Sequence, residues 1–140
     1  MNLKEIENLP DVLPTETLAL IFQNVLNEFY EGKIEEKDFL IILSQLTDRQ
    51  VMTYELLESE VRNSIDKVLY KLWNTDPYDD VDIILSIVVN LGLKNCFQKI
   101  KDSINQNRDI DELILKEIIE TIDEVGENIS NPYHGLERFK

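Results

Sequence analysis

The chain has 140 residues, 43% of them hydrophobic with only four glycines and four prolines, a composition that excludes disorder and suits one domain burying roughly 70% of its unfolded surface. Twenty-eight acidic residues against 14 basic ones leave a formal charge of −14. A field of that sign repels phosphate backbones and anionic membranes and favours basic proteins, so no direct nucleic-acid ligand and no membrane partner are expected.

Cys96 is the only cysteine, so no intramolecular disulfide can form. No basic-then-apolar leader is read in MNLKEIENLPDVLP, and no run reaches the roughly 18 apolar residues needed to span a bilayer, so a cytoplasmic protein is expected. The charge divides evenly: cut after Asn74, each half holds 14 acids and seven bases.

Taken in order, residues 1–14 read as an N-terminal extension in which Leu3 and Ile6 share a short helix closed by Pro10 and Pro14. From Thr15 to Glu31, Leu18, Ile21, Phe22, Val25, Leu26 and Phe29 recur at three and four, predicting an amphipathic helix stopped by Gly32. A second helix carrying Phe39, Leu40, Ile42, Leu43 and Leu46 follows a link so short that the pair must fold back as a hairpin. Thr47-Asp48 can cap a further segment whose apolar positions from Val51 to Leu72 keep helical phase to Trp73. It reads as one long helix, or as two broken at Glu58, Ser59 and Glu60.

Asp76-Pro77 ends that segment, because the residue before a proline is pushed out of the α region. A new helix then opens, with Asp79 as its cap and Asp82 in its first turn, and Ile83, Ile84, Leu85, Ile87, Val88, Val89 and Leu91 make it apolar nearly all round. Such a helix is expected at the centre of the core. Gly92 closes it; Lys94–Ile104 follows with Cys96, Phe97, Ile100 and Ile104 on one side. Asp109 with Glu112 three residues on suggests a capping box for a last helix running to Gly126, and 127–140 read as a loop-like tail.

No segment shows the sustained alternation of a strand, so the expected fold is all-α and a single domain, 1–140: an irregular helical bundle or a short array of antiparallel hairpins. The stretch LSIVVNLGLKNCFQKIKDSI, Leu85–Ile104, resembles one helix pair of the HEAT and armadillo repeats, although no period of about 40 residues recurs.

The inventory for catalysis is poor. His134 is the only histidine and Cys96 sits on an apolar helix face, which together supply too few ligands for zinc. Read as a calcium loop from Asp76, the acidic run puts Ile87 where the closing glutamate belongs and Val81 where the turn glycine belongs. No phosphate loop or nucleophile elbow is present, so no enzyme activity, metal or cofactor is expected.

What remains is recognition. Tyr78 beside Asp76, Asp79, Asp80 and Asp82 joins an aromatic anchor to carboxylates, suited to a lysine- or arginine-lined surface. Glu35 and Glu36 mark a second acidic edge, and Tyr133, His134 and Glu137 a third contact in the tail.

Small, acidic, all-helical and without catalytic apparatus, the chain resembles the immunity proteins of bacterial polymorphic-toxin and contact-dependent growth inhibition systems. That resemblance implies a cognate basic toxin domain, often a nuclease, as partner, occluded by these carboxylates. A helical-repeat adaptor for a peptide or protein and a carboxylate/metal hydrolase are the rival readings.

Overall fold

The computed structural model describes residues 3–73, 78–106, 110–125 and 129, and these form helices without a strand. In chain order they are α1 (Leu3–Glu7), α2 (Thr15–Tyr30), α3 (Glu36–Val51), α4 (Ser59–Leu72), α5 (Tyr78–Leu91), α6 (Lys94–Gln106) and α7 (Glu112–Val125).

The helices stack by alternation. α3 packs against α1 on one side and α5 on the other, and α5 continues onto α7; likewise α4 lies between α2 and α6. Two layers result, one of α1, α3, α5 and α7 and one of α2, α4 and α6, cross-linked by the sequential pairs α2–α3, α4–α5, α5–α6 and α6–α7. The core fills the space between them. α5 touches four other helices and buries Val81, Ile84, Leu85, Ile87, Val88 and Leu91, the central role its apolar sequence predicts. Its widest contact is with α3, which contributes Phe39, Leu40, Ile42, Leu43 and Leu46.

Two glycines place the turns. At the end of α2, Gly32 adopts φ 77°, and the Gly32 and Lys33 amides donate to Phe29 and Glu28 carbonyls at 3.0 and 2.9 Å. This is a left-handed stop that only glycine adopts without strain. The chain then reverses, stacking the Phe29 and Phe39 rings at 4.0 Å. Gly92 ends α5 in the same way at φ 71°, with the Leu93 amide donating to the Val88 carbonyl at 3.0 Å.

Three predicted helix starts are corrected. Thr47-Asp48 does not cap a new helix: Thr47 is buried, its hydroxyl donates to the Leu43 carbonyl at 2.7 Å, and α3 runs on to Val51. Neither does one helix span 48 to 73. Tyr54 turns the chain at φ 55°, and α4 begins at Ser59, capped by Glu58, whose carboxylate accepts the Glu60 and Val61 amides at 3.1 and 3.0 Å. The polar triplet marks a helix start because its carboxylate satisfies amides that no preceding turn can reach.

Asp79 already lies within α5, so it occupies the first turn and not the cap. For α7 the cap is Asp111, whose Oδ1 accepts the Leu113 amide at 2.9 Å. Glu112 is therefore the first helical residue and cannot close a box with Asp109, which lies outside the described residues.

Buried polar side chains tie the helices together within and between the layers. Arg49 reaches from α3 to the end of α1 and donates to the carbonyls of Ile6, Leu9 and Pro10 at 3.1, 3.0 and 2.9 Å. Its Nη1 also donates to Gln45 of its own helix at 3.1 Å. With Ile6 fully buried beneath it, the N-terminal segment is stitched into the core. Gln50 similarly joins Thr15 at the start of α2 to the turn after α3, donating to Thr15 Oγ1 at 3.1 Å and to the Glu55 carbonyl at 2.8 Å.

Candidate functional site

Layering sorts the charge. α5 and α7 together carry eight acidic residues and one basic one, whereas α4 and α6 carry six basic and three acidic. The even mixture along the chain thus places the acidic pair α5 and α7 in one layer and the basic pair α4 and α6 in the other, because neighbours in space are alternate helices and not successive ones.

Between α5 and α7 lies a shallow groove of about 240 Å³ with Asp82, Glu117 and Glu124 on its walls and Leu85 and Val89 at its base. Asp82 is exposed and Asp80, two residues earlier in the helix, is half-buried. On α7, Leu113, Glu117, Glu120 and Glu124 recur at four, three and four, which places them along one face. Leu113 heads that row and is 69% exposed. The stripe therefore joins a solvent-facing leucine to a line of carboxylates. Lys116 reaches Glu120 only at 3.9 Å, with both side chains exposed, a contact that neutralises little of the Glu120 charge.

The second acidic edge also forms a groove, of about 460 Å³, where Glu35 and Asp38 face Glu5 and Glu28 around Lys33. Lys33 is bridged to Glu31 at 2.8 Å, and this hydrogen bond, reinforced by the Glu31 charge, raises the lysine's pKa from its usual value. Glu35 stands at the N-cap position of α3 without a side-chain cap bond, and Glu36 is exposed in the first turn outside the groove.

Of the acidic entrance, Asp82 and Asp80 are placed, and Tyr78 and Asp79 are placed as backbone in the first turn of α5. Asp76, Tyr133, His134 and Glu137 lie outside the described residues. Glu117 and Glu124 escaped the sequence reading because their helix packs beside α5 only in three dimensions. Their own signal was the row of acids on the outer face of α7.

Cys96 is fully buried at the start of α6. Burial, and then the charge of Asp66, pushes its thiol up to about 12, which makes it a packed core group and a poor nucleophile. Among the described residues no three histidine, cysteine, aspartate or glutamate side chains are grouped to hold a metal ion.

The chain matches no protein-family model, no curated protein and no solved structure. Any reading of function therefore rests on its own surface.

Proposed function

We propose that this protein is a binding module that covers a basic surface of another protein, in the manner of the immunity proteins it resembles, with a cognate toxin domain of nuclease type as partner. The observation that carries this reading is the stripe of Leu113, Glu117, Glu120 and Glu124 beside Asp82. An exposed leucine flanked by carboxylates offers a partner an apolar contact together with the counter-charge for lysines or arginines. Desolvating such pairs gives specificity, while the surrounding acidic field raises the rate of encounter. A nuclease is the fitting class because the groove that holds a phosphate backbone is itself lined with cations.

Co-expression with the product of the adjacent upstream reading frame, followed by purification of the complex, tests the reading. If the complex forms, Glu120→Gln with Glu124→Gln should slow association and flatten its dependence on salt, and Leu113→Ala should weaken binding by roughly tenfold, mainly through faster dissociation. Binding that ignores all three changes would remove this face as the interface. Capture of a partner with no toxic activity would leave an adaptor in place of an immunity protein.

A further inference from the structure

The layer of α2, α4 and α6 carries a larger groove, of about 680 Å³, within the roughly 300–1,000 Å³ typical of small-molecule sites. Lys67, Tyr70 and Lys71 stand three and four apart on the α4 wall, and Gln98, Lys99 and Asp102 do the same on α6. Tyr30, at the end of α2, closes one side.

We propose that this groove binds a phosphate-bearing small molecule with a planar ring, of the nucleoside mono- or diphosphate kind. Charge is the first argument. In a chain with twice as many acids as bases, Lys67, Lys71 and Lys99 all line one groove, and among the described residues none of them forms an ion pair. The one acid of the lining, Asp102, accepts a hydrogen bond from Gln98 Nε2 at 3.0 Å. Three compact ammonium groups against one carboxylate suit a phosphate carrying about −1.5 to −2 better than a single carboxylate, for which the planar fork of arginine is the better match.

The aromatic rings are the second argument. Tyr30 and Tyr70 are 60% and 45% exposed, aromatic surface open to solvent at the edge of a charged groove. Tyr70 is held in place: the Lys99 ammonium lies 4.4 Å from its ring centroid and also donates to its backbone carbonyl. A planar ring can stack on such a fixed platform while lysines from the same helix meet its phosphate.

The amides that begin α6 do not supply the anion site. Those of Asn95 and Cys96 are already taken by the Asp66 carboxylate, so the positive charge offered to an anion comes from the lysine side chains. The net charge of −14 does not forbid such a ligand. At physiological salt, charges beyond about 8 Å are screened, so a compact phosphate responds mainly to the groove's own lysines, whereas a long polyanion meets the acidic layer as well.

The test is calorimetric and NMR titration of the intact chain with ADP in EDTA, alongside adenosine, inorganic phosphate and a short glutamate-rich peptide. ADP should shift the amide signals of Tyr70, Lys71 and Gln98 and bind at least tenfold more tightly than adenosine or phosphate. Lys67→Gln with Lys71→Gln, both exposed and outside the core, should weaken ADP at least tenfold while the melting temperature holds. Tyr30→Ala should weaken ADP but not phosphate. Absence of ADP binding at millimolar concentration, equal affinity for adenosine, or tighter binding of the acidic peptide would each overturn the proposal. So would ADP affinity unchanged in the double lysine variant.

Discussion

Asp66 of α4 accepts the backbone amide of Cys96 in α6 at 2.7 Å, although the two residues are 30 apart in sequence. Its second oxygen accepts the Asn95 amide at 3.1 Å, so a side chain of one helix caps the start of another. Both Asp66 and Cys96 are buried. The contact meets the free amides of a helix start with negative charge at the positive end of its dipole, and it locks α4 to α6 in register.

Replacing Asp66 by alanine leaves the buried Cys96 amide, and the part-buried Asn95 amide, without that acceptor. The expected cost is about 2–3 kcal/mol, the sum of a lost cap and an unmet donor. Asp66→Asn, which keeps one acceptor oxygen, should recover part of it. Urea unfolding at neutral pH measures both; an alanine variant as stable as the parent would show that water replaces the carboxylate.

Cys96 gives the protein a specific alkaline weakness. Its folded pKa of about 12 lies above the ordinary value of 9.0, so between these two limits the folded state holds a proton that the unfolded state has released. Stability attributable to the thiol is fully present below pH 9 and declines as pH rises towards 12, with a slope of at most about 1.4 kcal/mol per pH unit. The difference in unfolding free energy between the parent and Cys96→Ala isolates this contribution from the other groups that titrate there. In the native protein at pH 8 the thiol should resist a disulfide reagent and react only as fast as the structure opens.

Arg49 holds α1 through carbonyls and not through carboxylates. Arg49→Ala removes donors from Ile6, Leu9 and Pro10 together, and should cost roughly 2–4 kcal/mol. It should also expose the link between α1 and α2 to limited proteolysis. Arg49→Lys should restore less than half, because one ammonium cannot reproduce the spread of a guanidinium. A cleavage pattern unchanged in the alanine variant would show that burial of Ile6 suffices to hold the segment.

Much of the secondary structure was legible in the chain. Gly32 and Gly92 announced two helix ends, and the run from Ile83 to Leu91 announced the central helix, because glycine conformation and helical periodicity are local properties. The break at Tyr54 was not legible. No proline or glycine stands there, and Val51, Tyr54, Leu57 and Val61 keep helical phase straight through it. What decides the break is tertiary: Gln50, anchored on Thr15 of α2, also holds the Glu55 carbonyl, and Leu57 is buried while Tyr54 is 64% exposed.

The acidic sites divide in the same way. Asp82 and Glu35 could be named from the sequence as exposed carboxylates near helix starts, but their neighbours could not. Glu117 and Glu124 join Asp82 only because α7 packs on α5, and Lys99 meets Lys67 and Lys71 only because α6 packs on α4. By itself the sequence determined an acidic all-helical chain with an apolar central helix, since composition and periodicity follow from residue order. Only the tertiary structure decided that its charge would separate into an acidic layer and a basic groove. Alternate helices stack together, and residues far apart in the chain become the two walls of each groove.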